Sequence, residues 1–208
     1  MPMTPEARRV AVLGGTFDPV HLAHLALATG TRDAIGAREA WLVPARTPAL
    51  RGDPVAPPHL RLAMLETAVR AIDDLRVVDV ELRRAGTSYT IDTLEALRVS
   101  HPADEPWWVV GADAARHIHE WHRSEELLAV LRLVVVQRAG SPHLDDAEAR
   151  GLGLDRERTI VLDLTPPAIS ASEVRRRVAR GEPITALVPR AVADIISASG
   201  LYRTAAVR

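Results

Sequence analysis

Short apolar runs that alternate with amphipathic segments constrain the fold of this chain more than any other feature. The runs have the length and composition of buried parallel strands, and they lie at 10–13, 40–43, 75–80, 107–110, 131–136 and 159–162. Helical periodicity follows between and after them, at 21–35, 59–72, 90–99, 112–119, 124–131, 170–180 and 190–199. This order predicts an α/β protein with a doubly wound, mostly parallel sheet. Ligands of such sheets bind at the carboxyl ends of the strands, near the switch in strand order.

Composition sets limits on the kinds of function. The 208 residues are expected to form a single domain, 1–208, with a C-terminal helical portion at about 170–203. A net charge of -1 gives no field that would attract nucleic acid, and no apolar run is long enough for a membrane. We therefore expect a cytoplasmic protein without nucleic-acid or membrane partners. Cys and Lys are absent, which excludes thiolate and lysine nucleophiles.

Two stretches are predicted to be connections. Residues 44–58 carry five prolines and an Arg-Gly-Asp step, consistent with a long loop over a site. Residues 140–158 are polar and predict a surface excursion.

The first chemical motif follows the first predicted strand. The glycine pair at 14–15 allows a sharp turn and close approach to a ligand. Asp18 and Pro19 then look like a helix start, because Asp caps helices and Pro suits the first turn. His21 and His24 share one helix face beside backbone N–H groups that attract anions. The segment predicts a site where imidazoles and N–H groups stabilise a phosphate that gains charge during reaction.

A second helix start lies near the C-terminal end. Ser170 or Ser172 can cap this helix, and Glu173 follows Ser170 at the spacing of a capping box. Arg175 then falls in the first turns, near another helix end that attracts anions. Taken alone, the segment is typical of a capped helix with a solvated basic face. Together with the first motif it predicts a second phosphate site.

The segment from Gly14 to His24 resembles the signature of the nucleotidyltransferases with a (T/H)xGH-like site. Its Gly-Gly-Thr-Phe-Asp-Pro-x-His form is typical of bacterial nicotinate-nucleotide adenylyltransferases, and the resemblance extends from Val10 to Arg203. It implies a Rossmann-like nucleotidyltransferase fold and transfer of AMP from ATP to nicotinate mononucleotide. The products would be deamido-NAD and pyrophosphate, and the reaction would belong to NAD biosynthesis. It also implies that Mg²⁺ is carried by ATP.

Two alternatives remain open at this point. One is a related transferase that acts on nicotinamide mononucleotide, phosphopantetheine or glycerol phosphate. The other is a nucleotide-binding sensor without catalysis, against which the intact His21, His24 and Arg175 argue. The sequence does not determine the oligomeric state and is compatible with a homo-oligomer.

The resemblance assigns catalysis to His21, His24 and Arg175. It implies an ATP site formed by Gly14, Gly15, Thr16, Phe17, His21, His24, Gly111, Asp113, Ile169, Ser170, Ser172 and Arg175. Ser172 stands where the family usually has Thr in the motif that grips the β- and γ-phosphates. Asp113 is the candidate for the ribose hydroxyls, and the alternative is an ordinary acid at a helix N-terminus.

The acceptor site implied by the resemblance contains Thr16, Arg46, Arg51, Tyr89, Thr90, Trp121, His122 and Arg138. Thr90 would bind the carboxylate of the pyridine ring, and Trp121 would stack on that ring. Without the family, Trp121 would be taken for a packing residue and Arg138 for an exposed strand-end arginine. Leu50 stands where the family often has histidine, so contacts to the mononucleotide phosphate are expected to differ here.

A metal site is the remaining alternative from the residues. His117, His119 and His122 are close in sequence, but the first two would diverge by about 200° on one helix. Zinc needs three or four converging ligands. We therefore expect no metal held by the protein itself.

Overall fold

The structure is a computed structural model that describes residues 8–49, 52–137 and 143–203. Six parallel strands form one sheet: β1 (Arg8–Gly15), β2 (Glu39–Pro44), β3 (Leu75–Val77), β4 (Asp104–Gly111), β5 (Leu133–Gln137) and β6 (Thr159–Asp163). The helices are α1 (Leu22–Ala34), α2 (Pro58–Val69), α3 (Thr90–Ser100), α4 (Ala112–Arg116), α5 (Ser124–Val130), α6 (Asp146–Gly151), α7 (Ala171–Ala179) and α8 (Arg190–Ser199). A 3₁₀ turn, Ile118–Glu120, separates α4 from α5. The predicted α/β class and the six predicted strands are confirmed.

The strand order is β3-β2-β1-β4-β5-β6. The chain therefore moves outward from β1 to β2 and β3, and then returns to the other side of β1 with β4. The strands β1 and β4 are therefore neighbours, and the helices that follow them, α1 and α4, pack on opposite faces of the sheet. This switch in strand order is where a doubly wound sheet opens a crevice at its carboxyl edge.

Each face of the sheet has its own apolar core. On one face, Ala11 and Leu13 of β1 pack with residues of α1, α2, α7 and α8, among them Val174 and Ile196. On the other face, Val10 and Val12 pack with α3, α4 and α5. Side chains that alternate between two buried faces explain why the strands have continuous apolar runs. Within the described ranges, no helix combines the length and apolar character needed to cross a bilayer.

Three local predictions need correction. The strand predicted at 75–80 ends at Val77, because the chain turns at Asp79, whose carbonyl accepts the Leu82 and Arg83 N–H groups. The helix predicted at 112–119 ends at Arg116, since His117 leaves the helical conformation and a 3₁₀ turn follows. The excursion predicted at 140–158 contains α6, whose N-cap Asp145 accepts two backbone N–H bonds.

Candidate active site

An open cleft of about 940 Å³ lies at the carboxyl edge of the sheet, over β1 and β4. A cavity of this size is at the upper end of the range for small-molecule sites. Thirteen of the predicted residues line it: Gly14, Gly15, Thr16, Phe17, His24, Tyr89, Thr90, Gly111, Trp121, His122, Ser170, Ser172 and Arg175. The structure therefore brings both motifs and the predicted acceptor segments to one cavity, although they are far apart in sequence.

The two glycines of the first motif serve packing more than turning. Gly14 and Gly15 are the last residues of β1 and pair with Val43 and Pro44 of β2. A Cβ atom on Gly14 would lie 2.7 Å from the ring of Trp108, so glycine is needed for this close contact. The sharp turn comes two residues later at Phe17, which has φ of +48°. The predicted need for glycine holds, but its main physical reason is the Trp108 ring beneath it.

The sequence predicts that Asp18 begins the first helix, and this prediction is wrong. Helix α1 begins at Leu22, and His21 occupies its N-cap position. The Asp18 carboxylate is 5% exposed and accepts hydrogen bonds from the backbone N–H groups of Val55 (2.7 Å) and Ala56 (3.0 Å) and from the Tyr202 hydroxyl (2.7 Å). Because these donors come from distant segments, Asp18 connects the first motif to the loop before α2 and to the C-terminal end of the chain.

The two histidines of the first motif lie against each other. The His21 and His24 rings stack with centroids 3.6 Å apart, and the Phe17 ring meets His24 edge-on at 4.9 Å. The backbone N–H of His21 donates to Nδ1 of His24 at 3.3 Å, so Nε2 is the nitrogen of that ring that carries a proton. His24 lines the cleft, whereas His21 is buried behind it.

The second motif lines the same cleft and contacts the first motif. Ser170 is the N-cap of α7 and accepts the Glu173 N–H at 3.2 Å, as predicted. The Glu173 carboxylate pairs with Arg176 and Arg177. Arg175 donates to the Asp18 carbonyl at 2.6 Å, and its side chain is 31% exposed. The guanidinium that the sequence assigned to phosphate is therefore anchored directly to the first motif.

The described acceptor residues other than Arg46 also line the cleft, and contacts of their own hold them together. The Tyr89 and His122 rings stack with centroids 4.0 Å apart, which joins the start of α3 to the segment before α5. Trp121 and Thr90 line the same wall. The Trp121 indole nitrogen is buried and has no hydrogen-bond partner among the residues that the structure describes.

Two buried charged residues near the cleft were not predicted. Arg61 of α2 is fully buried and donates to the carbonyls of Thr16 (2.7 Å), Ala56 (3.2 Å) and Arg46 (3.3 Å). Its burial lowers the pKa of the guanidinium. Glu81 is 5% exposed, lines the cleft, and accepts the Thr93 hydroxyl at 2.6 Å. The position of Arg61 among Met64, Leu65 and Ala68 on the apolar side of α2 was a signal available in the sequence.

Comparison with known proteins agrees with this geometry. The cytidylyltransferase-like family model matches residues 12–177, which include both motifs. A protein of Bordetella petrii named "Probable nicotinate-nucleotide adenylyltransferase" is 41% identical over 94% of this chain and 100% of its own length. A protein of Symbiobacterium thermophilum with the same name is 38% identical over 93% of this chain and 95% of its own. The chain belongs to the nicotinate-nucleotide adenylyltransferase family, within the cytidylyltransferase-like proteins.

Solved structures support the fold of the family. The nicotinic acid mononucleotide adenylyltransferase of Plasmodium falciparum, complexed with NaAD, superposes with a TM-score of 0.78 at 19% identity, over 94% of this chain and 97% of that one. The same enzyme complexed with APC gives a TM-score of 0.75 at 18% identity, over the same shares of the two chains. The predicted Rossmann-like nucleotidyltransferase fold is thereby confirmed.

Four of the predicted residues that the structure describes do not line the cleft, and two others lie outside the described residues. Asp113 lies in the first turn of α4 with a 94% exposed side chain, 3.5 Å from Arg116, so its ribose role stays a prediction. The Arg46 side chain donates to the Leu82 carbonyl at 2.8 Å. His21 and Ile169 lie beside cleft residues without lining the cavity. Arg51 and Arg138 lie outside the described residues, as does Leu50.

Histidines near the cleft do not form a metal cluster with one another or with acids. In the described part of the chain, no group of three or more His, Cys, Asp or Glu residues is placed to hold a metal ion. His117 pairs with Glu120 at 2.8 Å, and His122 stacks on Tyr89.

Proposed function

We propose that this protein transfers the AMP group of ATP to the phosphate of nicotinate mononucleotide and releases pyrophosphate and deamido-NAD. The observation that carries this proposal is one cleft with two different ends. All the residues of two separately held groups line it, and we assign His24, Ser170, Ser172 and Arg175 to an ATP end and Tyr89, Thr90, Trp121 and His122 to an acceptor end. The P. falciparum enzyme of the same fold is complexed with NaAD, and a dinucleotide needs a site with two such ends.

The first end has the donors that a triphosphate requires. The Nε2–H of His24, the N-terminal N–H groups of α7 and the Arg175 guanidinium all lie along this part of the cavity. Helix N-termini and guanidinium groups bind phosphate oxygens well. Mg²⁺ would enter as part of the substrate MgATP, bound mainly by phosphate oxygens and water.

The reaction is a direct in-line displacement at the α-phosphorus of ATP. An oxygen of the acceptor phosphate forms the new bond to phosphorus, and the bond to the bridging oxygen of pyrophosphate breaks. The chain has no Cys or Lys that could carry a covalent nucleotidyl intermediate. Catalysis then consists of holding the two substrates in line and stabilising charge on the phosphate oxygens.

The acceptor end favours an acid over an amide on the pyridine ring. Thr90 supplies a hydroxyl and lies at the start of α3, where backbone N–H groups are available. A carboxylate accepts from such donors, whereas the NH₂ of an amide leaves one of them unpaired. The difference of roughly 1–3 kcal/mol corresponds to about tenfold to a hundredfold in kcat/KM.

The test is a comparison of acceptors. Pyrophosphate release from MgATP is measured with nicotinate mononucleotide, nicotinamide mononucleotide, phosphopantetheine and glycerol phosphate in turn. We expect the highest kcat/KM with nicotinate mononucleotide, at least about tenfold above the amide. Equal values for acid and amide would refute the assignment of the ring pocket. Turnover only with phosphopantetheine or glycerol phosphate would refute the proposed acceptor, and no turnover at all would favour a sensor.

A further inference from the structure

Glu81 is a buried acid whose role is not explained by phosphate binding. It lies in the turn after β3, where its carboxylate lines the acceptor end of the cleft and is almost fully buried. Burial raises its pKa, and the Thr93 hydroxyl, the Ser88 hydroxyl and the nearby Arg84 guanidinium act in the opposite direction. A carboxylate without a directly bonded cation is costly to bury, so its position calls for a structural reason.

The two hydroxyls that Glu81 binds flank the predicted ring pocket. Ser88 immediately precedes Tyr89, and Thr93 lies one turn after it in α3. The Thr93 hydroxyl is 2.6 Å from Glu81 and 3.0 Å from the Tyr89 carbonyl. Any movement of the Glu81 carboxylate would therefore be transmitted to both sides of the segment that carries Tyr89 and Thr90.

The same network extends to the loop after β2. The Ser88 hydroxyl accepts the Arg46 N–H at 2.9 Å, and the Ser88 N–H donates to the Thr47 carbonyl at 2.8 Å. A hydroxyl that accepts from Arg46 has its own proton available for Glu81. The chain of contacts thus runs from the Arg46 backbone through Ser88 to Glu81 and on to Thr93.

We propose that Glu81 is the positioning residue of the acceptor site: by holding Ser88 and Thr93 it fixes the ring pocket and the loop after β2 for the mononucleotide. This inference rests on the proposed function, because it concerns the acceptor end of the same cleft. Glu81 acts through its neighbours and takes no part in the bond-making step. Its loss should therefore affect the acceptor and leave ATP binding unchanged.

The experiment compares Glu81→Ala and Glu81→Gln with wild type in full two-substrate kinetics. A buried hydroxyl left without its acceptor weakens the site, and we expect Glu81→Ala to raise the KM for nicotinate mononucleotide about tenfold or more. The KM for ATP should stay within about twofold of wild type. Glu81→Gln keeps one acceptor oxygen and should restore part of the loss, giving a KM for the mononucleotide between the other two.

A matched control separates this role from general destabilisation. Glu105→Gln changes a half-buried carboxylate that bonds Trp107 and Arg132 at the amino end of β4 and does not line the cleft. It should leave both KM values unchanged. A folded Glu81→Ala with a wild-type KM for the mononucleotide, or with equal rises in both KM values, would overturn the proposal.

Removing the donors tests the network if Glu81→Ala does not fold. Thr93→Val and Ser88→Ala should each raise the KM for the mononucleotide, and each combined with Glu81→Gln should show effects that are less than additive. Additive effects would contradict the network. Wild-type turnover decides the proposed function, whereas the ratio of variant to wild-type KM decides this inference, so the two can fail independently.

Discussion

The two ends of the cleft each contain a buried carboxylate, Asp18 and Glu81, but their partners differ. Asp18 accepts two backbone N–H groups and the Tyr202 hydroxyl, and an Arg175 nitrogen lies 4.0 Å away. Glu81 is held by the hydroxyls of two residues in one short segment. Each carboxylate also has an arginine nearby, Arg175 for Asp18 and Arg84 for Glu81, so the main difference is where the hydrogen-bond donors come from.

The donors also come from different distances along the chain. Asp18 joins residues around position 55, position 175 and position 202, so it unites segments that are otherwise independent. Glu81 interacts with the hydroxyls of residues 88 and 93 and reaches the loop after β2 through Ser88. We conclude that contacts between distant segments hold the ATP end as a rigid unit. The acceptor end is held by contacts within one short segment. Variants at the first end should then affect chemistry and stability, and variants at the second should affect the acceptor alone.

The largest effect is expected for His24→Ala. Its Nε2–H lies at the ATP end, and removal of one donor to a charged transition state typically lowers kcat about a hundredfold or more. Steady-state kinetics with saturating substrates measure this, with thermal melting to confirm folding. His119→Ala, at an exposed position that does not line the cleft, is the control. A folded His24→Ala variant with wild-type kcat would remove the catalytic role assigned to this end.

A smaller, more selective effect is expected for Arg175→Ala. Its guanidinium faces the ATP end, so the KM for ATP should rise about tenfold, an energy within the range of hydrogen bonds to charged groups. The KM for the mononucleotide should change little. Arg176→Ala removes an arginine from the same helix that pairs with Glu173, and it should behave like wild type. A rise confined to the mononucleotide KM would mean that the two ends have been assigned the wrong way round.

The smallest effect is expected for Tyr202→Phe, which removes one of three donors to the Asp18 carboxylate. Burial and the Asp18 carboxylate raise the pKa of Tyr202, so its hydroxyl stays protonated as a donor near neutral pH. We expect the free energy of unfolding to fall by about 1–3 kcal/mol, measured by denaturant titration. Ser199→Ala removes an exposed hydroxyl bond in α8 and should cost less than about 0.5 kcal/mol. No loss of stability in Tyr202→Phe would contradict a rigid ATP end.

Much of the fold could be predicted because its signals are local. Buried parallel strands have continuous apolar runs, and Ser170 caps α7 with a hydroxyl as its residue type suggests. The predictions that failed depend on distant partners. Asp18 has the composition of a helix cap, but its carboxylate is occupied by Val55, Ala56 and Tyr202. Local propensity carries no information about such partners.

The site was also predicted only in part, because some of its residues have a recognisable local pattern and others do not. The residues of the two motifs, together with Tyr89 and Trp121, were found because their pattern resembles a family, and all of them except His21 and Ile169 among the predicted motif residues line one cleft. Arg61 and Glu81 were missed because each acts through groups on other segments. The sequence does contain a signal for Arg61, because it is an arginine on an apolar helix face. It contains no comparable signal for Glu81, which lies in a turn.

The most direct test of the account follows the phosphorus atoms of ATP. The protein is incubated with nicotinate mononucleotide and MgATP labelled at the α- or the γ-phosphate, and the products are separated. Direct AMP transfer predicts that α-label appears in deamido-NAD and that γ-label appears in an equal amount of pyrophosphate. No label should stay on the protein. Label bound to the protein during turnover, or release of ADP and phosphate without a labelled dinucleotide, would contradict direct AMP transfer to this acceptor.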